Sequence, residues 1–201
     1  MDVVCLDLEG VLIPEIWIEF ATQTGIDELR ATTRDIPDYD ELMTMRLGIL
    51  EKHGLGLNEI QEVISGMKPL EGAVDFVNWL RSEFQLIILS DTFYEFADPF
   101  MIQLGRPTLF CHRLEVDGAG KVTGYKLRQK DPKRASVKAL KNLNYRVFAA
   151  GDSYNDTTML SEADAGFLIM APDNVIAEFP QYPAITHYDG LRKALLDASK
   201  V

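Results

Sequence analysis

Short apolar runs alternate with amphipathic stretches along most of this chain. Four runs are typical of buried strands: VVCLDL at 3–8, LIILS at 86–90, RVFAAGD at 146–152 and AGFLIM at 165–170. Between them, helical periodicity recurs, for example at 71–82 and 93–104. Because strands that alternate with helices join through right-handed crossovers, we predict an α/β fold with a doubly wound parallel sheet.

Residues 14–70 interrupt this alternation. The segment contains three helical patterns, PEIWIEFATQTG, DYDELMTMRLGILEKHG and LNEIQEVISG, without a convincing strand among them. We therefore predict two units, an α/β core of residues 1–13 and 71–201 and a small helical insert of residues 14–70 after the first strand.

Two local signals lie between the second and third of these strands. The stretch HRLEVDGAGKVTGYKL at 112–127 predicts a β-hairpin that turns around Asp117 and Gly118. Further along, Asp131 is in a position typical of a helix N-cap, and Pro132 suits the first helical position. A helix is therefore expected from Pro132 onwards.

Composition and charge restrict the partners. A net charge of −11 over 201 residues argues against nucleic acid or an anionic membrane as a partner. No run of about 18 apolar residues is present, so we expect no membrane span. Cys5 and Cys111 are the only cysteines, which favours structural thiols and a reducing, cytoplasmic location. The oligomeric state, a homodimer included, stays open.

Polar side chains follow three of the predicted strands at their carboxyl ends. They are Asp7 and Glu9 after the first strand, Ser90 and Asp91 at the second, and Asp152, Asn155 and Asp156 after the third. Open α/β sheets bind ligands outside the carboxyl ends of their strands. We therefore expect these groups to converge on one crevice.

Carboxylates gathered in such a crevice require a cation. Asp7, Asp152 and Asp156 would repel one another strongly if they were partly buried and bare. Oxygen ligands with few carboxylates suit Mg²⁺ better than zinc. Asp152 or Asp156 alone is equally well explained as a helix N-cap, so the prediction of Mg²⁺ depends on the joint pattern.

Four motifs follow one another along the chain: DLEGV, the serine that ends the second strand, a lysine at a helix start, and GDSYND. In this order they resemble the four motifs of the haloacid dehalogenase-like phosphatases. The resemblance covers the whole core and implies a Rossmann-like domain whose helical insert is a cap. It also implies that Asp7 is the nucleophile and forms an aspartyl phosphate. Glu9 would protonate the leaving oxygen and later activate water.

The same resemblance implies roles for the other motif residues. The implied metal set is Asp7, Glu9, Asp152 and Asp156. Ser90 would bind phosphate, although a strand-end cap is its alternative, and Asp91 and Asn155 lie where they can reach the substrate. Lys133 would neutralise charge in the transition state, with Lys126 and Lys130 as competing candidates. The turn at Gly10 would offer backbone N–H groups to phosphate.

Within that superfamily the chain is most similar to phosphoserine phosphatases, enzymes of amino-acid biosynthesis. Their cap carries an acid near its start and a Met-x-Arg pattern, which Glu15 and Arg46 in ELMTMRLGIL resemble. Glu15 would meet the ammonium group and Arg46 the carboxylate of a small phosphorylated amino acid. An ordinary surface pair is the alternative for either residue taken alone.

The chain departs from this pattern at three places. Glu9 stands where an aspartate is usual, Asp91 and Thr92 replace two glycines, and Ser153 and Tyr154 replace small residues. In these respects it resembles a bifunctional branch of the family, in which the aspartyl phosphate also passes to homoserine. Homoserine is one methylene longer than serine, a difference worth only about 1–3 kcal/mol in binding.

Two other functions stay open. One is hydrolysis of another small phosphorylated metabolite, such as a sugar phosphate. The other is a receiver-like phosphoacceptor switch, which also uses an aspartate, a hydroxyl group and a lysine around Mg²⁺, although Glu9 and the insert weigh against it. His53, His112 and His187 show no metal-ligand spacing, so we expect them at the surface or as helix caps.

Overall fold

The computed structural model describes residues 1–32, 35–36 and 38–200. In this part of the chain seven strands form one sheet: β1 (Asp2–Leu6), β2 (Gln85–Phe93), β3 (Thr108–Val116), β4 (Val122–Lys126), β5 (Arg146–Gly151), β6 (Ala165–Ile169) and β7 (Ala184–Ile185). Their order is β4-β3-β2-β1-β5-β6-β7. Only the β3–β4 pair is antiparallel among these neighbours, which confirms the predicted parallel-dominated α/β fold.

Helices cover both faces of the sheet and connect its strands. They are α1 (Ile16–Thr24), α2 (Tyr39–His53), α3 (Leu57–Gly66), α4 (Ala73–Glu83), α5 (Tyr94–Gln103), α6 (Pro132–Asn142), α7 (Thr157–Glu162), α8 (Asp173–Glu178) and α9 (Tyr188–Ser199). Short 3₁₀ turns occur at Asp27–Arg30 and Tyr154–Asp156. None of the helices in the described ranges is long and apolar enough to cross a membrane.

Strand β1 is apolar because it lies in the middle of the sheet. Its side chains alternate between the two faces. Val4 and Leu6 pack into the larger apolar cluster, whereas Val3 and Cys5 pack into a second cluster on the opposite face. Parallel strands buried on both faces are expected to carry such continuous apolar runs.

The insert lies where the helical patterns predict it. Helices α1, α2 and α3 all fall within residues 14–70, and the structure describes no strand in that segment outside the gaps at 33–34 and 37. The segment leaves and rejoins the core at adjacent points, because the Leu70 N–H donates to the Leu12 carbonyl over 2.9 Å. The division into two domains at these boundaries stays a prediction.

Two local features, strand β3 and Asp131, differ from the expectations. Strand β3 begins at Thr108 and pairs in parallel with β2 before it forms the predicted hairpin with β4. Polar residues inside β3, including His112 and Arg113, obscure this longer strand in the sequence. Asp131 precedes α6 as expected but has a left-handed φ of 46° and no capping hydrogen bond. Its carboxylate instead accepts from the Thr158 hydroxyl at 2.9 Å.

Asp2 links β1 to β5 and to the end of α9 through hydrogen bonds. Arg146 donates to the two Asp2 carboxylate oxygens from Nε at 2.9 Å and from an Nη at 2.7 Å. The Ser199 hydroxyl donates to the same carboxylate at 2.6 Å. The Arg146 hydrogen bond lowers the pKa of Asp2 against the opposing effect of burial.

We predict that Asp2→Asn lowers the free energy of unfolding at neutral pH by about 1 kcal/mol. Because the pKa of Asp2 is lower in the folded state, its contribution is complete above the unfolded value of about 3.9. It disappears as the pH falls through the folded pKa. Urea unfolding of both proteins at several pH values checks this, and a difference that stays constant into acid would contradict it.

Candidate active site

The carboxyl ends of β1, β2 and β5 form a crevice beneath the helical insert. The pairs of Leu6 with Ile88 and with Ala150 place these three strand ends at one level. A cavity of about 420 Å³ opens there. It is lined by nine of the residues singled out in the sequence: Asp7, Glu9, Glu15, Arg46, Ser90, Asp91, Lys133, Asp152 and Asn155. Asp156 lies beneath them, fully buried.

Three carboxylates in this crevice lie close enough to share a cation. Asp7, Asp152 and Asp156 each offer an oxygen within 4.8 Å of the others, and all three are buried. Burial and the neighbouring charge of Asp156 raise the pKa of Asp7 well above its usual value, against the opposing effect of Lys133. The donor set is therefore one that fits a hard divalent cation.

Lys133 is the buried cation of this cluster. Its Nζ lies 2.8 Å from Asp7 Oδ1, 2.7 Å from Asp156 Oδ1 and 3.5 Å from Asp91 Oδ2. Burial alone would lower the pKa of Lys133, but the three carboxylates raise it well above the usual value. Lys126 and Lys130 are exposed, so the geometry favours Lys133 among the three candidate lysines.

Two backbone N–H groups fix the position of the Asp156 carboxylate. Its Oδ2 accepts the N–H groups of Asp152 at 3.0 Å and Ser153 at 3.1 Å. Gly151 permits this approach, since a Cβ at that position would lie 2.3 Å from Asp156 Cγ. The Asp156 carboxylate is thereby fixed with its other oxygen on Lys133.

Glu9 has a different environment from the acidic cluster. Its Oε2 accepts the Ile16 N–H at 2.9 Å, at the start of α1, and the Thr92 side chain forms a further hydrogen bond. Burial, with the charge of Glu15, raises the pKa of Glu9 to about 7. The Glu9 carboxylate lies outside the three-carboxylate group and is bound to the backbone of the insert, and its predicted place in the metal set stays a prediction.

Arg46 and Glu15 enter the cavity from the insert. Arg46 is buried, with its guanidinium 4.5 Å above the Trp17 ring and one Nη donating to the Ala31 carbonyl at 2.9 Å. Its Nε is buried without a hydrogen-bond partner in the described structure. Glu15, half-buried, is the residue before α1 and makes no capping hydrogen bond. An acidic and a basic side chain thus line one wall of the cavity.

Ser90, Asp91 and Asn155 lie at the opposite wall. The Ser90 hydroxyl oxygen accepts the Thr92 N–H at 3.2 Å. Ser90 therefore both caps the strand end and lines the cavity. Asn155 Nδ2 donates to Asp91 Oδ2 at 2.7 Å. The Gly10 N–H donates to the Ile13 carbonyl at 2.8 Å. This one N–H is therefore used within the turn, and the predicted role of the turn's N–H groups in phosphate binding stays a prediction.

Sequence reasoning missed two residues of the site. Tyr39 lines the cavity, and its hydroxyl donates to the Asp91 carbonyl at 3.1 Å. His112 was expected at the surface or at a cap, but only 3% of its surface is exposed and it contacts Asp91. A lone histidine in a mixed polar pattern carries no signal of such burial. His187 does cap a helix, since its Nδ1 accepts the Gly190 N–H.

One class of hydrolase is defined by a parallel α/β core in which an aspartate follows the first strand. A buried lysine and two further aspartates complete its site. The chain belongs to the haloacid dehalogenase-like hydrolase family, whose sequence profile matches residues 7–161. This confirms the resemblance seen in the sequence motifs.

Particular relatives are phosphoserine phosphatases. The chain is 68% identical over 199 residues to phosphoserine phosphatase ThrH of Pseudomonas aeruginosa, with 99% of this chain and 97% of that protein covered. It is 67% identical over 199 residues to a phosphoserine phosphatase of Pseudomonas syringae pv. tomato, with 99% of this chain and 84% of that protein covered. A crystal structure of apo phosphoserine phosphatase shares the fold, with a TM-score of 0.77, 20% identity and 96% of each chain covered.

Gly10→Ala tests the packing of the acidic cluster. Gly10 has a φ of 76°, and a Cβ there would lie 2.6 Å from Asp152 Oδ2. We expect the displaced carboxylate to lower the affinity for Mg²⁺ about tenfold or more, as measured by calorimetric titration. Gly25→Ala is the matched control, because Gly25 has a similar φ of 68° with nothing within 4 Å. Equal losses in both variants would contradict the prediction.

Proposed function

We propose that this protein is a Mg²⁺-dependent phosphoserine phosphatase that acts through an aspartyl phosphate on Asp7. The observation that carries the proposal is the Asp7 carboxylate, which lines the cavity with Lys133 Nζ 2.8 Å from its Oδ1. A buried arginine with an unpaired Nε lines the same cavity. The identity of 68% to a phosphoserine phosphatase supports the same substrate.

Asp7, Asp152 and Asp156 would hold the cation. The three carboxylates are buried within 4.8 Å of one another, and Lys133 Nζ lies within 2.8 Å of Asp7 and Asp156, so a divalent cation beside them would offset their mutual repulsion. Bound Mg²⁺ supplies positive charge to the nucleophile and to the transferring phosphoryl group.

The first step transfers the phosphoryl group to the protein. An Asp7 carboxylate oxygen attacks phosphorus, and the bond between phosphorus and the serine oxygen breaks. Glu9 in its protonated form gives its proton to that leaving oxygen. Lys133, held against Asp7, stabilises the charge that develops on the phosphoryl oxygens.

The second step releases phosphate. Glu9, now ionised, takes a proton from water, whose oxygen attacks phosphorus and breaks the bond to Asp7. A pKa of about 7 suits both tasks, since the protonated and the ionised forms of Glu9 are then both populated near neutral pH. The same side chain can therefore act first as acid and then as base.

The insert of residues 14–70 acts as the cap and recognises the amino acid. Arg46 would pair with the substrate carboxylate through its guanidinium group, and Glu15 with the ammonium group. Ser90 and Asn155, which line the same cavity from the core, would bind the phosphoryl group. Trp17 and Tyr39 from the insert help to cover the cavity, which strengthens the electrostatic interactions inside it.

A screen of phosphate release from phosphorylated amino acids and sugar phosphates, with and without Mg²⁺, tests the proposal. We expect phosphoserine to be hydrolysed only with Mg²⁺. Hydrolysis of a sugar phosphate alone would favour another metabolite. Stable phosphorylation of the protein without turnover would favour the phosphoacceptor switch.

Arg46→Ala tests the substrate class. We expect the KM for phosphoserine to rise about tenfold or more, because a buried charge-assisted contact is worth about 1.5–3 kcal/mol. The kcat/KM for 4-nitrophenyl phosphate, which has no carboxylate, should change by less than about threefold. Arg46→Met is the control for lost packing on Trp17. Equal losses on both substrates would contradict amino-acid recognition.

Transfer to homoserine stays a prediction, and Glu9 offers a test of it. When homoserine is added, phosphohomoserine should form at the expense of free phosphate. Glu9→Asp shortens the proton-transfer arm to the length usual in the family, so we expect the ratio of phosphate to phosphohomoserine to rise several-fold. Both products are measured by phosphorus NMR, and an unchanged ratio would contradict a role for the extra methylene.

A further inference from the structure

His112 is a buried histidine with two different contacts. It lies in β3, with 3% of its surface exposed. Its Nδ1 accepts the Arg128 N–H at 3.1 Å. Its Nε2 lies 3.6 Å from Asp91 Oδ1. The side chain therefore connects the segment before α6 with the wall of the active site.

The contact with Arg128 fixes the tautomer of the neutral imidazole. A backbone N–H can only donate, so Nδ1 must present its lone pair. The ring proton of neutral His112 then resides on Nε2, which is the nitrogen that faces Asp91. His112 is thus a donor toward the Asp91 carboxylate in either charge state.

Asp91 in turn reaches the catalytic lysine. Its Oδ2 accepts from Asn155 at 2.7 Å and lies 3.5 Å from Lys133 Nζ. Although burial raises the pKa of Asp91, the charge of Lys133, the nearby imidazole of His112 and the hydrogen bond from Asn155 lower it below the usual range. Asp91 therefore stays a carboxylate beside Lys133.

The Lys133 ammonium group has three N–H donors and three carboxylate neighbours. Two of these neighbours, Asp7 and Asp156, are within 2.8 Å, and Asp91 lies on a third side at 3.5 Å. Loss or rotation of the Asp91 carboxylate would leave one direction of the ammonium group unrestrained. Displacements of about 1 Å in a catalytic group can cost about 100-fold in rate.

We propose that His112 is a positioning residue of this active site, which holds the Asp91 carboxylate through Nε2 so that Asp91, Asp7 and Asp156 together fix Lys133 at the nucleophile. This inference rests on the proposed function. It also changes the role expected for Asp91, whose carboxylate is engaged by three protein side chains rather than by the substrate.

A purely structural role for His112 is the competing explanation. By that account the histidine matters because it accepts the Arg128 N–H and fills space beneath β3. The two accounts can be separated, since each assigns the important contact to a different ring nitrogen. An asparagine amide matches the position of Nδ1, whereas a glutamine amide matches the position of Nε2.

The experiment compares His112→Asn and His112→Gln. His112→Asn keeps an acceptor for the Arg128 N–H and loses the donor to Asp91, so we expect kcat for phosphoserine to fall about tenfold or more with little change in KM. His112→Gln keeps the donor to Asp91, so it should retain most of kcat while its melting temperature falls. The reverse order, with kcat following the melting temperature, would overturn the proposal.

The Asp91→Asn single variant provides a second arm, in which His112 itself is left in place. It preserves shape while removing the charge beside Lys133, and we expect a similar loss of kcat. In the Asp91→Asn background, His112→Asn should have little further effect, since both changes act through one contact. Losses that multiply in the double variant would overturn the proposal.

Heteronuclear NMR of the imidazole nitrogens in the metal-free protein gives a readout besides activity. We expect the His112 proton on Nε2, with a resonance that shifts in Asp91→Asn. A proton on Nδ1 would overturn the proposal. If wild-type protein does not hydrolyse phosphoserine, the proposed function fails by itself. The kcat comparison with 4-nitrophenyl phosphate and the NMR readout then decide on His112.

Discussion

One buried ammonium group holds this active site together. Lys133 lies between Asp7, which follows β1, and Asp156, which follows β5, within 2.8 Å of both. Without it, the carboxylates gathered at the strand ends would repel one another in a region of low dielectric. The arrangement of β1 between β2 and β5 brings the acids together, and the first turn of α6 brings their counter-charge.

Burying these charged groups lowers the stability of the folded state, and other interactions in the fold offset this loss. Burying an ion takes several kcal/mol even after relaxation, and removing one partner of a buried pair costs about 3–5 kcal/mol. Backbone N–H groups on Asp156 and apolar clusters on both faces of the sheet offset this. Gly10 and Gly151 allow the chain to approach Asp152 and Asp156 closely. Three buried carboxylates around one lysine are also well suited to bind a divalent cation.

Much of the fold and part of the site could be predicted from the sequence. The continuous apolar runs predicted the central strands, because parallel strands are buried on both faces. The rule for strand ends then predicted that Asp7, Ser90 and Asp152 meet in one crevice. The lysine was harder to choose, since Lys133 is buried in the first turn of α6, whereas Lys130 is exposed in the loop before that helix.

The remaining features depend on contacts far apart in the chain. Glu9 is bound by the Ile16 N–H because the insert starts with α1 at that point, which no local pattern shows. The burial of His112 depends on β3 pairing in parallel with β2. The two-residue strand β7 is too short to leave a periodic signal. Tertiary packing decides each of these features.

The central claim is that Asp7 carries the phosphoryl group during turnover. Rapid acid quenching of the protein with phosphoserine and Mg²⁺, followed by mass spectrometry of its peptides, tests this most directly. We expect one added phosphoryl group on the peptide that contains Asp7, absent in Asp7→Asn and short-lived in the wild type. Hydrolysis of phosphoserine with the label on another residue, or unchanged turnover in Asp7→Asn, would contradict it.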